Sequence, residues 1–65
     1  MNKGEFNGLC NRTACQEPPA IFYNFSTQLY YCGNCAKMIN KVNPESYSIF
    51  GHELCIRMDK PYNKL

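Results

Sequence analysis

Four of the five cysteines in this 65-residue chain fall into two close pairs, Cys10-x4-Cys15 and, sixteen residues on, Cys32-x2-Cys35. A short loop between two cysteines lets both sulfurs reach one ion from a single turn of backbone. Two such pairs complete a tetrahedron, and thiolates bound at about 2.3 Å are the preferred structural donors of zinc. The spacing predicts one structural Zn2+ held by Cys10, Cys15, Cys32 and Cys35. Rival readings explain less. A disulfide framework wants an even count and an oxidising compartment. Four cysteines packed as small hydrophobes leave the pairing unexplained. A thioredoxin-type Cys32-x2-Cys35 wants a parallel sheet around it and gives the first pair no role.

The size of the chain makes such a staple necessary. A domain this short buries only about 60% of its unfolded surface. Ordering costs of about 1.5 kcal/mol per residue nearly cancel what burial contributes. Leu, Ile, Val, Met and Phe supply only 16 of the 65 residues. There is no room for a substrate pocket and catalytic apparatus beside a core, so the expectation is a single non-enzymatic domain. A zinc held by four thiolates also leaves no open position for water. Ser46, Ser48 and His52 form no nucleophilic arrangement in the sequence.

The order of local signals predicts a small α+β fold. Residues 1–7 are polar and read as a flexible arm, and the Cys10 loop is followed by Glu17-Pro18-Pro19, which forces an extended turn. Aromatic and branched residues from 20 to 31 surround Asn24-Phe25-Ser26-Thr27, giving a hairpin of strands near 20–24 and 28–32. From Cys32 the period becomes helical: Cys35, Ile39 and Val42 recur on one face while Lys37, Asn40 and Lys41 point away, up to Asn43. The helix N-terminus favours thiolate at the second cysteine pair. Beyond it, Asn43 reads as an N-cap, Pro44 as a first helical residue and Gly51 as a stop, giving a short helix and then a strand within 53–58. A hairpin through Gly51-His52 competes with that reading. Residues 8–43 are the zinc core, 44–58 an extension, and 59–65 a frayed end.

The Cys10/Cys15 pair and the run Tyr30-Tyr31-Cys32-Gly33-Asn34-Cys35-Ala36 resemble the treble-clef zinc fingers, and less closely the zinc ribbons. Residues 24–40, NFSTQLYYCGNCAKMIN, also resemble the small stand-alone four-cysteine zinc proteins of tailed bacteriophages. The resemblance covers about residues 8–43, and the x4 spacing of the first pair departs from the common x2 knuckle. It implies a zinc ion, a knuckle-hairpin-helix order and a cytoplasmic setting, the host cytoplasm if the chain is viral. It implies little about activity, because treble clefs serve many functions.

His52-x2-Cys55 has ligand-like spacing, but no further Cys or His remains to complete a second site. The simpler reading is a buried thiol at Cys55 beside a turn histidine, with a zinc shared between two copies as the alternative. Tyr23, Phe25 and Tyr30 near Lys37 and Lys41 are candidate partner-binding residues, since aromatics stack bases and lysines hold phosphates. The same aromatics also serve as core in a chain so poor in aliphatics.

The formal charge is +2, with the seven basic residues scattered rather than massed. Four thiolates and one zinc bring the metal-bound chain close to neutral, which weakens any general attraction to nucleic acid. No apolar run approaches the roughly 20 residues of a membrane span, and no signal peptide is visible. The expectation is a cytoplasmic zinc module that binds a protein, host or viral in a phage setting. A nucleic-acid-binding finger is the second expectation, a redox-sensing dithiol protein the third, and a homodimer fits any of them.

Overall fold

The computed structural model describes residues 2–62. Its first elements are a hairpin of β1 (Phe22–Asn24) and β2 (Leu29–Tyr31). The turn is built by Asn24, whose Oδ1 accepts the backbone N–H of Ser26 at 2.7 Å and of Thr27 at 3.0 Å. Gln28 adopts a left-handed φ of 62° and donates its N–H to the Asn24 carbonyl at 2.7 Å, closing the loop. The expected hairpin forms, with its strands trimmed to three residues each.

Helix α1 (Gly33–Lys41) follows directly, with Cys32 as its extended N-cap. It ends at Lys41, slightly short of the expected Asn43. Helix α2 (Ser46–Phe50) is capped by Gly51 at φ 80°, which donates its N–H to the Tyr47 carbonyl. Glycine adopts this left-handed backbone without a Cβ penalty. The start of α2 differs from expectation. Its N-cap is Glu45, and the Asn43 side chain turns back to donate to the Ile39 carbonyl at 2.8 Å. Asn43 thus serves the open carbonyls at the end of α1 rather than the N–H groups of α2.

The last element, β3 (Cys55–Arg57), pairs antiparallel with β1, giving a three-stranded sheet in the order β2-β1-β3. The competing hairpin through Gly51-His52 is not formed. Directly paired residues share a face, so Phe22, Tyr31 and Arg57 lie on one side and Tyr23, Tyr30 and Ile56 on the other. Tyr31 packs with Cys10, Cys32 and Cys35, and Ile39 of α1 joins them. On the opposite face Tyr23 and Tyr30 pack with Ala20, Phe6, Phe25 and Met58. The small core is therefore split by the sheet, with α1 and the cysteines on one side and aromatics on the other.

Both edges of the sheet are covered by other parts of the chain. On β2, Tyr30 donates its N–H to the Gly4 carbonyl at 2.9 Å and accepts from the Asn11 N–H at 3.0 Å. The segment before Cys10, expected as a loose arm, is thus tied to β2, and Asn7 and Ala20 add a 2.7 Å bond. Gly8 is part of this tie, since an added Cβ would collide with the Asn2 carbonyl. Near the other end Tyr62 stacks on Tyr23 with ring centroids 4.7 Å apart. Of the two ends expected to be flexible, Met1 and residues 63–65 lie outside the described residues. No helix among the described residues is long and apolar enough to cross a membrane.

Candidate metal centre

Local backbone geometry aims the two cysteine pairs at one point. In the first loop the N–H groups of Cys15 and Gln16 both donate to the Arg12 carbonyl, at 2.9 and 3.0 Å. This turn folds Cys15 back towards Cys10, which is itself anchored by a bond from its N–H to the Glu17 carbonyl at 3.3 Å. The next residue, Asn11, is the one that binds the edge of β2, so the loop is fixed to the hairpin. In the second pair Cys32 is the N-cap of α1 and Cys35 lies in its first turn. Ala36 donates its N–H to the Cys32 carbonyl at 2.9 Å, which sets the turn that brings both sulfurs to the same side.

The result is a four-sulfur cluster. The Sγ atoms of Cys10, Cys15, Cys32 and Cys35 all lie within 4.8 Å of one another, and those of Cys15 and Cys32 are 3.5 Å apart. Sulfurs at about 2.3 Å from a tetrahedral ion stand about 3.8 Å apart, so the donor set fits a four-coordinate metal. All five cysteines are free thiols. Cys10, Cys32 and Cys35 are buried and Cys15 is half-buried. Burial pushes the Cys35 thiol up to about 12, and the neighbouring thiols act in the same direction. Four crowded sulfurs do not ionise together unaided, and a bound dication reverses that balance.

His52 and Cys55 stand apart from this cluster, which comprises the other four cysteines alone. The His52 ring packs against Phe25 at 4.7 Å and stacks on Phe50 at 5.8 Å. Its Nδ1 lies 2.7 Å from the Glu53 carbonyl, which only accepts, so this nitrogen carries the proton. Cys55 is 1% exposed. Burial raises its pKa to about 11, so it remains a protonated, small apolar side chain at neutral pH.

The candidate partner residues are not brought together. Tyr23 and Tyr30 are buried and Phe25 is half-buried, all on the sheet face away from α1. Lys37 and Lys41 are exposed on α1, on the other side of the sheet. No single surface offers those rings for stacking beside those lysines for phosphates. Two asparagines carry structural roles: Asn24 in the hairpin turn, as its sequence context predicts, and Asn40, which binds Cys55. Asn24 carried a signal, since its side chain favours such turns. Asn40, expected to point away with Lys37 and Lys41, is instead half-buried against β3; its partner Cys55 lies fifteen residues away, where no local signal reaches.

No family model, curated protein or solved structure matches the chain.

Proposed function

We propose that this chain is a non-enzymatic module, stapled by one structural Zn2+, that presents a surface to a partner protein. The observation that carries the reading is the convergence of four thiols within 4.8 Å in a chain with little other core. Zinc is the metal best suited to four thiolates in a reducing compartment, and with four protein donors it keeps no position for a reacting water. The order of cysteine loop, hairpin and helix-borne cysteine pair supports a treble-clef-like arrangement. The resemblance of residues 24–40 to stand-alone phage zinc proteins supports a host cytoplasm as the setting, with a host or viral protein as partner.

A protein partner is favoured over nucleic acid by the exposed surface. Val42, Tyr47 and Ile49 are exposed at the end of α1 and on α2, whereas the candidate stacking rings Tyr23, Phe25 and Tyr30 are largely turned inward. The redox reading has Cys32 and Cys35 acting as a pair, yet each sulfur belongs to a four-way cluster.

Structural zinc contributes about 10–16 kcal/mol in finger peptides. That is comparable to the whole stability of a domain, about 5–15 kcal/mol. Chelator titration followed by far-ultraviolet circular dichroism tests the reading. Loss of helix and sheet signal on zinc removal, restored by one equivalent of zinc, is expected. A metal-free chain with unchanged ellipticity overturns it. Mobility of single-stranded and duplex DNA at low salt should be unaffected by the protein, and a salt-sensitive shift would favour nucleic acid instead.

A further inference from the structure

After β3 the N–H of Met58 is bound to the Ile21 carbonyl, and the chain then crosses three exposed residues, Asp59, Lys60 and Pro61. These three make no hydrogen bond among the described residues. The next attachment is Tyr62, and it is specific. Its ring stacks on Tyr23 with centroids 4.7 Å apart and meets Phe25 edge to face at 5.2 Å. Its backbone N–H donates to the Tyr30 hydroxyl at 2.6 Å. Tyr23 beneath is 3% exposed while Tyr62 stays 41% exposed, so Tyr62 lies over this face as a cover and not inside the core. The platform has supports of its own. Tyr23 touches Phe25 at 4.9 Å and Tyr30 at 5.1 Å, while His52 braces Phe25 at 4.7 Å and Phe6 braces Tyr30 at 5.5 Å.

A ring on a ring and a main-chain amide on a hydroxyl are the contacts of an aromatic residue in a peptide, supplied here by the chain's own strap. We propose that the Tyr23/Phe25/Tyr30 face is a binding site for an aromatic residue of a partner protein, and that Tyr62 fills it in cis until the partner's residue displaces it. The partner segment is non-helical at that residue, because inside a helix the amide N–H is already bound to the preceding turn. The tether is short, so Tyr62 stands at a millimolar effective concentration over the face. A competitor is weakened by the fraction of time the face is covered: a strap shut about nine-tenths of the time costs it about tenfold. The amide contact favours a peptide over a base. Lys37 and Lys41, the lysines of α1 suited to phosphates, lie on the other side of the sheet. The proposal deepens the reading of a zinc-stapled docking module, and rests on it, by naming one contact and the chemistry of the partner segment.

Uncovering the face tests it. The zinc-loaded full chain is titrated with acetyl-Asp-Lys-Pro-Tyr-amide, a copy of residues 59–62, and the ring protons of Tyr23, Phe25 and Tyr30 are followed by nuclear magnetic resonance. Tyr62→Ala should bind this peptide with a dissociation constant in the millimolar range or below. The wild type should bind it at least about tenfold more weakly. A control peptide with alanine in place of the tyrosine should bind neither. Adding Tyr30→Phe to Tyr62→Ala removes the hydroxyl that accepts the amide and should weaken the peptide about threefold or more, with zinc content and circular dichroism kept. An unchanged affinity there overturns the peptide reading. Equal binding to wild type and Tyr62→Ala, or binding to neither, overturns the proposal. So does a Tyr62→Ala chain that loses its circular dichroism, since Tyr62 is then a core residue. Oligothymidylate that shifts the same rings where the peptide does not overturns it in favour of nucleic acid. Zinc measured on the same samples separates the two claims: a folded, zinc-loaded variant that ignores the peptide overturns the site alone, and a folded, zinc-free chain overturns the module.

Discussion

The side-chain amide of Asn40 satisfies both backbone polar groups of Cys55, donating from Nδ2 to its carbonyl at 3.0 Å and accepting its N–H on Oδ1 at 2.7 Å. The register of β1 and β3 explains why those groups are free to bind. Phe25 donates to the Leu54 carbonyl and Met58 to that of Ile21, so Cys55 is opposite Asn24 with its N–H and carbonyl turned outward. Asn40 therefore stands where another strand would pair, and it blocks that edge to foreign chains. Gly4 and Asn11 do the same for Tyr30 on the other edge. A sheet of three-residue strands is closed on both sides by the segments that carry the cysteines.

Asn40→Ala should accordingly destabilise the zinc-loaded protein. It leaves a donor and an acceptor of Cys55 unpaired at a part-buried site, a loss of about 1–3 kcal/mol. Denaturant unfolding of the zinc-loaded variant measures it. An unchanged midpoint would show that water serves Cys55 equally well.

Cys55 should behave as a core residue and not as a ligand. Cys55→Ala is expected to bind the same amount of zinc as the wild type, measured by elemental analysis. Its pH dependence provides a second reading. In the folded state Cys55 holds its proton up to about 11, against an ordinary thiol value of 9.0. Above that ordinary value the unfolded chain has released a proton that the folded chain keeps. Its contribution to stability is thus complete below about 9 and is lost as pH rises towards about 11. Unfolding midpoints between those limits should fall more steeply for the wild type than for Cys55→Ala. Parallel slopes would mean that burial does not hold the proton.

Gly51 and Gly8 separate conformational strain from steric collision. Gly51→Ala meets nothing within 4 Å but must hold φ at 80°, which costs about 1–2 kcal/mol. Gly51→Asn should cost less, since asparagine tolerates the left-handed region. Gly8→Ala should cost more than either, because the new Cβ meets the Asn2 backbone and the arm must shift away from β2. Thermal unfolding of the three variants gives the ranking, and a Gly8→Ala protein as stable as the wild type would dissolve the proposed tie.

Local signals made the cysteine pairs, the Asn24 hairpin and the Gly51 stop legible in sequence, because each is decided within a few residues. The partner of β3 was not legible. Its pairing with β1 joins residues more than thirty positions apart, and no local preference specifies which edge it takes. Asn43 suits either helix end, and only the approach of the Ile39 carbonyl decides between them. The strand alternation already separates Tyr23 and Tyr30 from Phe22 and Tyr31. Which face receives α1 depends on the cysteine cluster forming beneath Tyr31. That choice buries the rings a base would have needed and leaves Lys37 and Lys41 on the far side.

Native mass spectrometry of the wild type and of Cys15→Ser tests the central claim most directly, since it counts metal ions per folded chain. One zinc per wild-type chain is expected, together with a charge-state distribution typical of a compact protein. The variant, left with three thiols, should lose most of its zinc and shift to the higher charge states of an unfolded chain. A compact wild type without metal, or a variant that keeps its zinc and remains compact, would contradict the four-cysteine site.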